Sequence, residues 1–126
     1  MTPGNLTLAL YRGDSYAWTF VLWADADKTV PVDLTGVTVK AEIRDKPGGT
    51  LITPLALTVT LPNTIDAALD AASSALLAAS GGAWDLQLTY PDGTVATVLA
   101  GVVRVTMDVT DSAALAQTRA RLAVAR

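Results

Sequence analysis

The 126-residue sequence contains neither cysteine nor histidine. Without cysteine there can be no disulfide bond and no thiolate chemistry, and cysteine usage does not indicate the redox compartment. The absence of histidine removes the commonest general base and excludes a Ser-His-Asp arrangement. Since the two residue types also supply most ligands of haem, zinc and copper, we expect no metal and no cofactor.

Glutamate is almost absent as well, with Glu42 the only one, and positive charge is in the minority. Nine Lys and Arg against twelve Asp and Glu give a net charge of −3. This balance argues against a nucleic-acid partner. No apolar run is long enough for a bilayer span and the first residues do not resemble a targeting signal. We therefore expect no membrane partner and synthesis in the cytoplasm of the cell.

What the chain does have is apolar character and residues that favour strands. Half of its residues are hydrophobic, and alanine (22) and threonine (17) are the commonest types. The length suits one domain with a core of its own. A composition rich in Thr and Val and poor in Glu and Lys favours β-structure.

Alternation of apolar and polar residues predicts strands separated by frequent turns. The clearest is 37–44, in which Val39 and Ile43 face the core while Lys40, Glu42 and Arg44 share the solvated face. The other predicted strands are 6–10, 16–22, 55–61, 64–69, 84–90 and a long one from 94 to 109, with a short extended piece at 31–36. In the long strand we expect a bulge at Gly101. The side chains expected to point inward are Leu99, Val103, Val105, Met107 and Val109.

Two segments are predicted to be helical. The first is 72–79, with Leu76 and Leu77 against the core and a stop at Gly81. The second is 111–126, which has no glycine or proline. The sequence therefore predicts an all-β fold, an immunoglobulin-like antiparallel β-sandwich domain at 1–110 with one short internal helix, followed by an Ala/Arg-rich C-terminal helical extension at 111–126.

The extension differs in charge from the body. Residues 1–110 carry six cationic and eleven anionic side chains, net −5, whereas residues 111–126 carry three and one, net +2. A basic helix beside an acidic body predicts docking, onto itself or onto a neighbour. The candidate contact residues in the extension are Leu115, Arg119, Arg121, Leu122 and Arg126.

Trp23 is the remaining candidate contact residue. It alternates to the face opposite Trp18 and Phe20, and an exposed indole often marks a contact surface. The alternative is packing against 31–36 or against the extension. Trp18 and Trp84 lie in the apolar register of their strands and are expected in the core; a sugar-stacking platform would need an exposed flat pair of aromatic rings instead.

Two short motifs have an ordinary structural explanation. The Arg12-Gly13-Asp14 triplet spells an integrin-binding sequence, but it lies between two strands, where Gly13 permits a bend and Asp14 can bond backbone N–H groups. Asp25 and Asp27 could offer oxygen ligands to calcium, yet the neighbouring Lys28 makes a solvated loop the better interpretation.

The remaining carboxylates do not predict catalysis. Paired acids of a glycosidase need one desolvated acid beside an ionised base. The available aspartates are expected at outward strand positions or in turns; they are Asp66, Asp70, Asp85, Asp92 and Asp108. We therefore expect that the chain is not an enzyme.

The order of several short segments resembles small β-sandwich proteins of tailed bacteriophages. The segments are 11–16 (YRGDSY), 32–36 (VDLTG), 37–44 (VTVKAEIR), 84–88 (WDLQL), 91–94 (PDGT) and 99–105 (LAGVVRV). They are similar, over about residues 5–110, to the N-terminal domain of the baseplate upper protein and to the β-sandwich domain of long-tail-fibre-type proteins.

The resemblance implies a structural virion protein, an adaptor in the tail or baseplate. Its partners would be other phage virion proteins, with a homo-oligomer or ring in the particle. No catalytic residue carries over. Two alternatives stay open, namely a capsid decoration protein and a carbohydrate-binding module.

Overall fold

The structure is a computed structural model that describes residues 3–109. Nine strands and one short helix lie within this range and form two sheets. The strands are β1 Gly4–Asn5, β2 Leu8–Tyr11, β3 Tyr16–Val21, β4 Thr38–Arg44, β5 Leu51–Pro54, β6 Ala56–Thr60, β7 Thr64–Leu69, β8 Gly82–Thr89 and β9 Val95–Thr106, and the helix is α1 Ala71–Ser74.

The larger sheet has the order β1-β9-β8-β4-β5, and β2 also pairs with β9. Its register places Ile43 opposite Trp84, and Trp84 opposite Gly101. Ile43 is completely buried and Trp84 nearly so, which confirms the predicted inward face of 37–44. Because side chains alternate along a strand, Lys40, Glu42 and Arg44 lie on the outer face.

The smaller sheet has the order β3-β7-β6, and it covers the inner face of the larger one. Phe20 pairs with Ile65, which in turn pairs with Val59. Across the interface between the sheets the Phe20 ring stacks on that of Trp84, with ring centres 5.8 Å apart. The sandwich is therefore confirmed, with sheets of six and three strands rather than the more even division of immunoglobulin constant domains.

The prediction of an entirely antiparallel arrangement is wrong at one edge. Both β1 and β2 pair with β9 in parallel, with Gly4 beside Leu99 and Leu8 beside Val103. The predicted first strand, 6–10, is correspondingly interrupted at residues 6 and 7. A parallel pair cannot be joined by a tight hairpin, and here nearly the whole chain connects the two strands.

The strand predicted at 55–61 is in fact preceded by another. β5 belongs to the larger sheet and β6 to the smaller, so the chain changes sheets at Leu55. The buried Leu55 donates its N–H to the carbonyl oxygen of Ala41, 3.0 Å away. Leu61, the last residue of the predicted strand, follows the end of β6 and is exposed.

The internal helix is a single turn and not the predicted 72–79. Asp70 caps it, accepting the N–H of Ser73 at 2.7 Å. Leu77 is buried as expected, whereas Leu76 is exposed, because the chain leaves the helix after Ser74 and the two leucines then point apart.

Two expectations for β9 are wrong. Gly101 pairs regularly with Trp84, and the irregularity lies between Leu86 and Gln87, opposite Val98. Met107 and Val109 lie beyond the end of β9 and are exposed. Gly101 is small for another reason, since a Cβ there would come within 2.1 Å of the carbonyl oxygen of Leu6. The predicted helix at 111–126 lies outside the described residues.

Candidate functional site

Of the candidate contact residues, the described part of the chain contains Trp23. It follows β3, forms an isolated bridge with Pro31 and keeps 37% of its surface exposed. The remaining candidates, Leu115, Arg119, Arg121, Leu122 and Arg126, lie outside the described residues.

Trp23 is part of a group of exposed apolar side chains at one end of the sandwich. Val21 ends β3 and is 47% exposed, Val30 is 53% exposed, and Leu61 is 57% exposed. Backbone bonds bring their segments together: Ala24 donates to Val30, and Leu22 donates to Asn63. We call Val21, Trp23, Val30 and Leu61 the basal patch. Exposed apolar clusters of this kind are typical of protein contacts.

The Arg12-Gly13-Asp14 triplet forms the predicted turn, but Arg12 and Gly13 hold it. The Arg12 guanidinium donates from Nε to the carbonyl oxygen of Ala75 at 3.0 Å and pairs with Asp108 at 3.1 Å. Gly13 donates its N–H to the buried hydroxyl of Ser74 at 2.7 Å. Asp14 is exposed. Since the guanidinium is bound within the protein, it does not extend from the loop as integrin recognition requires.

Asp25 organises a loop. It accepts backbone N–H bonds from Thr29 and Val30 at 2.9 and 2.8 Å, and the Thr29 hydroxyl as well. These hydrogen bonds, that of the Thr29 hydroxyl first, lower the pKa of Asp25 below its ordinary value. Among residues 3–109 no three acidic, cysteine or histidine side chains cluster in a way that could hold a metal ion.

A concave surface lies on the outer face of the larger sheet. Three rows of residues cross β4, β8 and β9 there: Arg44, Ala83 and Val102; Glu42, Asp85 and Ala100; Lys40, Gln87 and Thr97. The turn between β4 and β5 forms one wall, and the volume enclosed is about 800 Å³. Small side chains in the centre and a raised turn at the edge make this face concave. We call it the outer groove.

Glu42 is the centre of a charge network at the side of the outer groove. Arg44 donates to it at 2.9 Å, and the Lys40 ammonium lies 3.5 Å from its other oxygen. Arg44 also donates to the carbonyl oxygen of Gly49 in the turn, at 2.8 Å. The hydrogen bond from Arg44, more than the charge of Lys40, lowers the pKa of Glu42. The negative charge of Glu42 is therefore already balanced by the two cations beside it.

Asp85 is the carboxylate on the floor of the groove, and its surroundings shift its pKa in the direction opposite to that of Glu42. It lies directly opposite Glu42 and is half-buried in the middle of the floor. Burial, and then the negative charge of Glu42, raise the pKa of Asp85. None of the ion pairs among the described residues includes it. Asp85 therefore lies at the outward strand position expected for it, but its surroundings partly desolvate it.

The aromatic residues do not form an exposed platform within the described chain. The rings of Tyr16 and Trp18 stack on each other, 5.8 Å apart, and both are partly buried against the core. The hydroxyl of Tyr16 accepts the N–H of Tyr11, and the indole of Trp84 donates to the carbonyl oxygen of Leu6 at 2.8 Å. Trp84 is therefore in the core, as predicted, and Trp18 is partly buried against it.

A comparison with protein families decides what this sandwich is. The sequence profile of the family described as "LtfC-like, beta-sandwich domain" matches residues 2–122. The chain belongs to the LtfC-like β-sandwich family. LtfC is a phage long-tail-fibre-associated protein, which supports the predicted kinship with phage β-sandwich proteins in general terms. A search of curated protein sequences finds no match.

Within this LtfC-like domain, sequence reasoning found one contact candidate and missed the groove. The alternation in 84–88 correctly placed Asp85 outward, but its burial depends on which residues lie beside it in β4 and β9. That register could not be inferred from the strands separately.

No helix of the described residues is long and apolar enough to cross a membrane.

Proposed function

We propose that the chain is a non-enzymatic structural protein of a tailed-phage virion. It acts as an adaptor in the tail or baseplate through contacts with other virion proteins. The match of the LtfC-like family over residues 2–122 is the observation that supports this most. The structural role follows the family's association with phage long tail fibres.

The basal patch supports the adaptor role. Its four large apolar side chains are between 37% and 57% exposed, although the domain has a well-filled core elsewhere. Interface centres are enriched in tryptophan, and a single truncated Trp there often costs most of the affinity. We propose that Trp23 binds an apolar pocket of a neighbouring tail protein.

Particle location tests the role. Virions labelled with antibody-coated gold against this protein should carry gold at the tail. Gold on the capsid would identify a decoration protein, and its absence from purified virions would refute a structural role. Purified protein should also show no turnover of glycans or peptides above the blank. Turnover lost on replacing one aspartate would contradict the non-enzymatic assignment.

The contact is tested by a pair of variants. Trp23→Ser should fold normally and fail to enter particles when it replaces the wild-type copy. Leu76→Ser is the matched control, because Leu76 is 62% exposed and follows α1, at the opposite end of the sandwich from Trp23. Equal incorporation of both variants would remove the basal patch from the interface.

A further inference from the structure

We propose that the outer groove binds residues 110–126 of a second copy of this chain, with one of its arginines paired to Asp85. The groove and the basal patch lie on different sheets, so this contact is distinct from the tail contact. The inference does not rest on the proposed tail role.

Asp85 gives a cationic partner a binding point on the floor, although Lys40, Arg44 and Lys46 also line the groove and the charge of Arg44 already acts on Asp85. Asp85 is half-buried beside a second carboxylate and has no ion-pair partner among the described residues. Glu42 opposite it is already bound by Arg44 and Lys40. A guanidinium brought to Asp85 would gain a charge-assisted, bidentate hydrogen bond at a site where the isolated carboxylate is disfavoured.

The shape of the floor suits the stem of an arginine. Ala83 and Ala100 adjoin Asp85 with only a methyl group each, and Val102 is 52% exposed beside them. Long cationic side chains pack their methylene stems on apolar surface while the charged end reaches a polar group. The volume of about 800 Å³ is large enough for a segment of chain and not only for one side chain.

The sequence outside the described residues provides such a segment. Residues 110–126 contain three arginines, Arg119, Arg121 and Arg126, against one acid, Asp111. The rest of the chain has the opposite net charge. Charge complementarity of this kind speeds encounter and fixes the register of a contact.

The direction of the chain at the end of β9 favours a second copy over the same chain. Asp108 is held by Arg12, which also bonds to Ala75, just after α1. Since α1 follows β7 of the smaller sheet, the chain at Asp108 lies toward that sheet. The groove opens on the opposite, outer face of the larger sheet. A segment bound in the groove of the next copy is a head-to-tail contact, which forms a ring or a filament.

Cysteine pairing tests the location, because the natural chain contains no cysteine. Val102→Cys combined with Leu122→Cys in the full chain should form a disulfide between chains on mild oxidation, giving dimers and larger species on a non-reducing gel. The matched control joins Leu122→Cys to Val21→Cys, since Val21 is 47% exposed on the other sheet. Melting temperatures confirm that each variant is folded.

The outcomes separate the alternatives. Linkage through Val102 well above that through Val21 supports the groove, and equal linkage overturns it. A disulfide within one chain, seen as a monomer that has lost two hydrogens in mass, would mean that the segment docks on its own copy and would overturn the second-copy assignment.

The charge pairing has its own test, by sedimentation of the cysteine-free full chain at low salt. The wild type should self-associate with concentration. Asp85→Asn, and separately Arg119→Ala with Arg121→Ala and Arg126→Ala, should each weaken association about tenfold. Asp92→Asn in an exposed turn is the matched control and should change nothing. A monomeric wild type, or equal effects of Asp85→Asn and Asp92→Asn, would refute the proposal.

Discussion

Replacing Ile43 by alanine tests the register of the larger sheet. Ile43 is 0% exposed and lies between Trp84 of β8 and Thr53 of β5. The change removes three carbon atoms, which is worth about 2.4 kcal/mol at ~0.8 kcal/mol per buried methylene. A cavity term adds to this because paired strands on both sides prevent the site from collapsing. We expect a loss of about 3–4 kcal/mol, within the known range for such truncations.

Urea unfolding followed by tryptophan fluorescence measures this loss, and the melting temperature should fall by roughly 4 °C per kcal/mol. Val95→Ala is the control, because Val95 is 56% exposed in the adjacent part of the same sheet. It should change the unfolding free energy by less than about 0.5 kcal/mol. An Ile43 variant as stable as the control would show that the two faces of β4 are exchanged.

Four further substitutions test other parts of the structure by the same unfolding assay. Gly101→Ala should destabilise by about 1–3 kcal/mol, because its Cβ would meet the carbonyl oxygen of Leu6; a neutral effect would contradict the close approach of Leu6 to β9. Glu42→Gln should lower the free energy of unfolding at pH 7, because the lowered pKa of Glu42 stabilises the fold while the group is ionised. The difference from wild type should disappear as the pH falls below 4.5 and through the lowered pKa. A difference in unfolding free energy that persists at low pH would disprove this origin. Arg12→Ala should cost about 1–3 kcal/mol and Asp14→Ala less than about 0.5; the reverse order would show that Asp14 holds the turn.

The fold class and the faces of the central strands could be predicted from the sequence. Period-2 alternation is strong in 37–44 and 84–88, and both strands lie where they were expected, with Ile43, Trp84 and Leu86 buried. The sequence Pro91-Asp92-Gly93 also indicates a turn, because a proline and a glycine at fixed positions select it. Gly93 does have a positive φ of 90°.

The errors arose where neighbours in space decide the outcome. The strand β5 was not predicted; it is only four residues long and lies at the edge of the larger sheet, where a proline such as Pro54 is tolerated. Alanine-rich 72–79 has high helix propensity, but the helix ends at Ser74 and the chain reaches β8 through turns and irregular structure. Parallel pairing of β1 and β2 with β9 carries no local signal, since each strand alternates in the same way whichever neighbour it has.

The candidate site likewise has one part that could be predicted from the sequence and one that could not. Trp23 was predicted to be exposed from its own strand alone, and it is. The outer groove was not, because it is made by Ala83 of β8 beside Ala100 and Val102 of β9. None of these three side chains, taken by itself in the sequence, indicates a groove. Their effect on Asp85 depends on the alignment of three strands.

The parallel pairing of β2 with β9 has a consequence for how the protein is made. Leu8 and Leu10 are synthesised early, but they are buried beside Val103 and Val105, which follow about 95 residues later. These two leucines have no partner strand while the chain is still growing on the ribosome. Contacts this distant in sequence slow folding, because the intervening chain must be ordered before they form. The pairing of β2 with β9 therefore forms only after residue 106 has emerged, although β2 is among the first segments to be made.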